Sequence, residues 1–289
     1  MRTLIWHVGL HKTASTFLQH EVFPKLGGVK QLTSHGKYGT VDLMNKNLSQ
    51  RDVKRIRGEL KKRATAGTNL LSCEGLAGSA YPRRPVKDRV QILDDIKKVS
   101  QGFKPKVILV LRRQDKLIES VYRDYVRGGA VDDFDTFMGR LFRRWGGRGG
   151  FVQWFSFSAY VRELHKMFEK QNVLVLTQEG LKASPTHFME SLCRFIGTDV
   201  PAYHNKPRNR SYGAVQMRLA RKLNILFKTR CNPRGLIPLR IVPAILGREV
   251  FFRLFPKPYR IPEAWRKELL ELFSEDNRIL KEKYGIGFS

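Results

Sequence analysis

The stretch "IWHVGLHKTASTFLQH", residues 5–20, decides the fold. A short apolar run ends in Gly9. His11, Lys12 and the hydroxyl-rich Thr13-Ala14-Ser15-Thr16 follow, and then an apolar segment with helical character. A strand that turns straight into a helix leaves free N–H groups and the positive end of the helix dipole at the turn. Such an end binds phosphate-like groups. Lys12 adds a mobile cation, Thr13, Ser15 and Thr16 add small polar groups, and Gly9 permits a tight turn. The pattern suits an oxyanion. The bland reading is an ordinary capped helix with a stray lysine.

Working outward, four apolar runs read as buried strands: Leu4–Val8, Asn69–Cys73, Val107–Leu111 and Val173–Leu176. Each is uninterrupted rather than alternating, as parallel strands covered on both faces are. Helical patterns lie between them, at 15–26, 86–99, 114–127, 160–169 and 186–195. Strands alternating with helices imply an α/β fold around a parallel sheet. Residues 128–155 are rich in Gly, Arg and aromatics and read as one short helix and a mobile loop. They form either a tolerated insertion or a substrate-facing one. From about residue 201 the chain reads as helical. No repeat or linker divides it, so residues 1–289 are taken as a single domain.

Fifty-four Lys and Arg against 26 Asp and Glu give a formal charge of +28. That excess favours an anionic partner: a nucleotide, a nucleic acid, an acidic glycan or an anionic membrane. No nucleic-acid-binding motif is visible, so no specific nucleic acid is expected. Cys73, Cys193 and Cys231 are odd in number and widely spaced, which suggests neither a disulfide framework nor a zinc site. No signal pattern and no long apolar stretch is seen, so the expected location is cytoplasmic. Residues 236–260 mix aliphatic and aromatic side chains with Arg240, Arg248, Arg253, Lys257 and Arg260. They read either as an interfacial segment at the inner face of an anionic membrane or as packed helix.

The loop Gly9-Leu10-His11-Lys12-Thr13 lacks the glycine that precedes the lysine in G-x-x-x-x-G-K-[ST]. The strand Val107–Leu111 ends in Arg112-Arg113 rather than in an acidic residue for Mg²⁺. Both departures argue against an ATP or GTP hydrolase. Instead Arg112 stands at a strand end with Ser120 eight residues on, inside a helix. A guanidinium is a forked, permanently charged group suited to a phosphate monoester, and the serine hydroxyl lies within reach of the same group. Two anion sites at strand ends suggest a nucleotide with two separated acidic groups.

"GLHKTASTFL" and "LVLRRQDKLIESVY" together resemble the two nucleotide-binding motifs of the sulfotransferase family, closest to its bacterial and carbohydrate-type members. "NVLVLTQEGL", "NKPRNRSYGAVQMRLARKLN" and "LFSEDNRILKEKYG" extend the resemblance over most of the chain, with 128–155 and 230–260 poorly matched. Gln114 departs from the proline that many members carry after the arginine motif. The resemblance implies a P-loop-like three-layer α/β fold and the donor 3′-phosphoadenosine 5′-phosphosulfate, with no metal required. Lys12, Thr13, Ala14, Ser15 and Thr16 would hold the 5′-phosphosulfate, with Lys12 on the leaving oxygen. Arg112 and Ser120 would hold the 3′-phosphate, with Arg208 and Arg210 closing over it or remaining a solvated basic loop.

Glu74 ends the second predicted strand and resembles the glutamate base of carbohydrate-type members. His11 ranks second for that role, and His7 reads as a core histidine. The acceptor would be a hydroxyl, or an amine, of a carbohydrate or glycolipid. The rival readings are a P-loop nucleotide kinase and a non-enzymatic polyanion-binding protein. The oligomeric state is not legible.

Overall fold

The computed structural model describes residues 2–32, 39–82, 87–204, 212–238 and 249–288, together with Val242 and Leu246. Five strands are described: β1 (Thr3–Gly9), β2 (Val29–Leu32), β3 (Thr68–Glu74), β4 (Lys104–Leu111) and β5 (Val173–Thr177). They form one sheet in the order β2-β3-β1-β4-β5, and every neighbouring pair is parallel. Four follow the apolar runs of the sequence. The fifth, β2, was not expected: "VKQL" is short and half polar, and among the described strands it pairs with β3 alone, at the sheet edge.

The central strands are buried on both faces, which explains their uninterrupted apolar runs. Leu4, Trp6 and Val8 of β1, with Val107, Leu109 and Leu111 of β4, face one core. Ile5, Ile108 and Val110 face the other. Successive strand residues point to opposite sides, so each strand feeds two cores. Trp6 is fully buried, and its indole N–H donates to Ser100 Oγ at 2.9 Å.

Helices close both faces. They are α1 (Ser15–Phe17), α2 (Thr40–Asn45), α3 (Gln50–Arg63), α4 (Arg89–Val99), α5 (Gln114–Arg127), α6 (Phe134–Arg144), α7 (Arg148–Phe155), α8 (Phe157–Phe168), α9 (Gln178–Ala183) and α10 (Pro185–Ile196). Beyond them come α11 (Ala214–Asn224), α12 (Glu249–Leu254), α13 (Glu263–Leu272) and α14 (Ser274–Tyr284). Ile92, Leu93 and Ile96 of α4 and Leu164 of α8 cover the first face. Leu18, Val22 and Phe23, with Phe188, Met189 and Leu192 of α10, cover the second. The result is a three-layer α/β arrangement with a helical C-terminal portion.

Two elements differ from expectation. The regular helix over 15–26 is a single α-turn that widens into a π-helical segment, Leu18–Val22, and ends on a 3-10 turn, Phe23–Lys25. Pro24 has no N–H to continue the ladder. Residues 128–155 hold two helices, α6 and α7, in place of a short helix and a loop. Asp133 caps α6 by accepting from Thr136 N at 2.8 Å, and Gly146 and Gly147, at φ 71° and 105°, break the chain between them. Phe134, Phe137, Met138, Leu141, Phe151 and Phe155 are buried, so this segment builds core. Among the described residues no helix is long and apolar enough to cross a membrane. The expected interfacial segment 236–260 lies partly outside the described residues. Of the rest, Leu236 and Leu254 are exposed, whereas Val242 and Leu246 are buried.

Candidate active site

The C-terminal ends of β1, β3 and β4 lie side by side. β1 sits where connections leave in both directions, the place in an open parallel sheet where ligands collect. Gly9 pairs in register with Glu74. A Cβ on Gly9 would stand 2.7 Å from Ser15 Oγ. Glycine here lets the loop fold back over the strand end.

That loop is strained. Lys12 and Ala14 take φ of 70° and 66°. Left-handed backbone costs non-glycine residues roughly 1–2 kcal/mol each, and such strain gathers at functional sites. The loop is held from inside, where Thr13 Oγ1 donates to Leu10 O at 2.7 Å and Ser15 Oγ to the same oxygen at 3.5 Å. Both hydroxyls are buried. Thr13 and Ser15 therefore shape the loop with their side chains, which leaves backbone N–H groups as the way these residues meet an anion. Thr16 is half-buried in α1.

Arg112 joins the loop to the second motif. It is 7% exposed, and its Nη1 donates to Lys12 O at 3.1 Å while Nε is buried without a partner. Burial, then the nearby Arg123, pushes the guanidinium down to about 10. Ser120 is buried on α5. Lys182 is pushed down by burial, then by Arg112. Burial likewise pushes Arg123 and Lys116 down, with Arg260 adding to both. Glu119 offsets part of this charge, lying 3.5 Å from Arg123 and 3.7 Å from Arg260. Burial is the larger cause and the neighbouring cations add to it, so an anion placed among them would be favoured. Arg123, Lys116, Lys182 and Arg260 were missed in the sequence. Arg123 had one signal, its place three residues after Ser120 on the same helix.

Glu74 and His11 are brought together, with His11 Nδ1 3.2 Å from Glu74 Oε2. Burial pushes the Glu74 carboxyl up. His11, then Lys12 and His7, outweigh that and hold it below its ordinary range. Lys12 Nζ lies 2.8 Å from Asp124 Oδ1 on α5, and Tyr81 Oη donates to Asp124 Oδ2 at 2.5 Å. The His11 ring meets Tyr81 edge-on at 5.4 Å. His11, Tyr81, Asp124 and Lys12 thus form a chain of contacts beside Glu74. Asp124 and Tyr81 gave no sequence signal.

His7 is fully buried against Phe23, with Nδ1 2.7 Å from Ser72 Oγ. Burial pushes it down to about 4. Glu179 does not cap α9: Thr177 Oγ1 does so, accepting from Gly180 N at 3.0 Å. Glu179 Oε1 instead accepts from Arg113 N at 3.3 Å, at the start of α5. Buried Gln114 opens α5, and its Nε2 donates to Phe155 O at 3.4 Å and Asp276 Oδ2 at 3.3 Å. Arg208 and Arg210 lie outside the described residues. Among the described residues no three His, Cys, Asp or Glu side chains are placed to hold a metal ion.

No known protein family matches the chain, and no curated protein matches it. Among solved structures the chain is similar to mouse sulfotransferase SULT7A1 complexed with PAP, at 15% identity over 96% of this chain and 85% of that one, with a TM-score of 0.46. It is also similar to a sulfotransferase from Alicyclobacillus acidocaldarius, at 14% identity over 92% of this chain and 99% of that one, with a TM-score of 0.47.

Proposed function

We propose that this chain is a sulfotransferase that moves a sulfuryl group from 3′-phosphoadenosine 5′-phosphosulfate to a hydroxyl, or an amine, of a carbohydrate or glycolipid. One observation carries the reading. The hydrogen bond from Arg112 to Lys12 O couples a strained loop to a cationic cluster gathered around the buried Arg112 at the neighbouring strand end. A nucleotide with a 5′-phosphosulfate and a 3′-phosphate has two acidic groups for two such places.

In the reaction the acceptor oxygen attacks sulfur, the bond from sulfur to the phosphate oxygen breaks, and the acceptor proton passes to a base. Backbone N–H groups of residues 13–16 hold the 5′-phosphate. Lys12 neutralises the leaving oxygen, the kind of charge compensation that dominates many transfers. To do so its ammonium exchanges Asp124 for the nucleotide. Arg112 and Ser120, with Arg123 and Lys182 nearby, take the 3′-phosphate.

Glu74 is the proposed base, ionised at neutral pH because its neighbours hold it below its ordinary range. The 3.2 Å contact with His11 favours a second reading, in which Glu74 orients the imidazole and His11 takes the proton. Exchanging Glu74→Gln and His11→Ala tests both. Loss of a positioned base costs about 10²–10⁴ in rate. With labelled nucleotide and a panel of glycan and glycolipid acceptors, Glu74→Gln is expected to fall at least about a hundredfold with nucleotide affinity near wild type. An active Glu74→Gln beside an inactive His11→Ala moves the role to His11. Both variants active removes the pair from the chemistry.

A further inference from the structure

The most exposed large apolar side chain among the described residues is Leu236, at 85%. It stands on the turn that follows α11. Beside it is Ile237, and across the turn are Ile225 and Leu226, at 37%, 61% and 49%. Eight large apolar side chains are exposed among the described residues, and four of them share this turn. Single exposed apolar residues are ordinary, whereas a contiguous group marks a contact surface. None of the four belongs to the anion loop, to Glu74 or to the Arg112 cluster.

Hydrogen bonds hold these side chains out. Leu236 N and Ile237 N both donate to Leu226 O, at 3.0 and 2.9 Å, and Lys228 N donates to Ile237 O at 2.8 Å. Ile225 N and Leu226 N donate to Lys222 O and Leu223 O at 3.4 and 3.0 Å. Buried Asn232 ties the two sides of the turn together, its Nδ2 donating to Asn224 O at 2.8 Å and to Phe227 O at 3.2 Å. Asn224 Nδ2 in turn donates to Val126 O and Ala130 O at 2.8 and 2.9 Å, which fastens the turn to the end of α5. Collapse of the four side chains onto the core would break these bonds.

Two features select the partner. The first is charge. From Val200 to Arg248 the sequence carries eleven Lys and Arg and no Asp or Glu. Of these, Arg218, Lys222, Lys228, Arg230 and Arg234 are exposed on the turn or just before it. The second is the backbone. The N–H groups of all four apolar residues have carbonyl acceptors, so the tip can leave water without stranding them. An apolar tip flanked by cations matches an anionic bilayer, whose acyl boundary takes the one and whose phosphates take the other. A stable protein partner covers about 800 Å² and disfavours lysine in the contact. Four side chains of one turn, with Lys222 and Lys228 beside them, fit a bilayer better.

We propose that this turn seats the protein on an anionic phospholipid surface. Ile225, Leu226, Leu236 and Ile237 enter the boundary between headgroups and acyl chains, and Lys222, Lys228, Arg230 and Arg234 meet lipid phosphates. The contact is peripheral and reversible, because a few apolar side chains and a few charges each contribute modestly and act together. Half of the apolar tip, Ile225 and Leu226, lies outside the segment 236–260 that the sequence suggests. The inference does not rest on the sulfuryl-transfer reading.

Co-sedimentation of the full chain with phosphatidylcholine vesicles, with and without phosphatidylserine, tests the proposal. Binding is expected with phosphatidylserine and at least about tenfold weaker without it. Leu226→Ser with Leu236→Ser should weaken binding to the anionic vesicles at least about tenfold. Val41→Ser, at an exposed apolar site elsewhere, should leave it unchanged. Lys222→Gln with Lys228→Gln should weaken it at least about fivefold, whereas Lys62→Gln with Lys97→Gln, an equal loss of exposed charge elsewhere, should stay within about twofold of wild type. Melting temperatures check that the variants are folded. Leu236→Ser alone, at the most exposed site, keeps the test open if the double variant is not, and should cost about threefold or more. No binding to anionic vesicles, equal binding to neutral ones, or losses shared by the control variants overturn the proposal. So does vesicle binding that survives loss of both leucines. A concentration-dependent dimer abolished by that same loss, with vesicle binding intact, would assign the turn to a second copy of the chain instead.

Discussion

Lys12 is held ready but occupied. Its ammonium pairs with Asp124, and both side chains are about one-third exposed, at 31% and 34%. A pair so open to solvent is worth at most about 1 kcal/mol. Asp124→Asn should therefore raise affinity for adenosine 3′,5′-bisphosphate by up to about fivefold. Calorimetry at low ionic strength measures it, and unchanged or weaker binding would show that Lys12 does not exchange partners. His7 offers a second measurement at this scale. Its value falls from 6.5 to about 4 on folding because burial disfavours the charged ring. The unfolded chain thus takes up the proton first. The stabilisation is complete above pH 6.5 and is lost as the pH falls toward 4, by on the order of 3 kcal/mol in all. His7→Gln should flatten the drop in melting temperature between pH 6.5 and 4.5. Parallel curves for variant and wild type would contradict the assignment.

The strand-to-helix turn depends on close approach. A Cβ at residue 9 would stand 2.7 Å from Ser15 Oγ, and overpacking of this kind costs about 1–3 kcal/mol. Gly9→Ala should lower stability by that much, and adding Ser15→Ala should restore most of it, because residues in contact couple. Additive losses in a denaturation series would mean that the strain lies elsewhere in the loop. The elements legible in the sequence were those whose environment leaves a mark on it. β1 and β4 bury both faces and read as apolar runs. β2 meets one neighbour at an edge, and "VKQL" carries no period. The π-helical turn after Phe17 was invisible because it keeps the apolar spacing of a helix over a few residues. Lys12, Glu74 and Arg112 were legible as candidates from their places at strand ends. Asp124 and Lys182 were not, because the groups they face, Lys12 and Arg112, lie far away in the chain.

Across the whole molecule the charge of +28 sets a positive field that draws anions and weakens with salt. The sheet order gives that field a focus. β1 lies between β3 and β4, so the strained loop, Glu74 and the Arg112 cluster share one edge of the sheet. A general polyanion binder needs the charge but not this geometry, and a nucleotide kinase has no need of a 3′-phosphate. On the proposed function the two strand ends hold the two acidic groups of one nucleotide. The most direct measurement is calorimetric titration of the wild type and Arg112→Gln with adenosine 3′,5′-bisphosphate and adenosine 5′-phosphate. The wild type should prefer the bisphosphate by at least about tenfold, and Arg112→Gln should reduce that preference to within about threefold, since hydrogen bonds to charged groups are worth about 1.5–3 kcal/mol. A wild type that binds both nucleotides equally, or a preference that survives Arg112→Gln, would contradict the account.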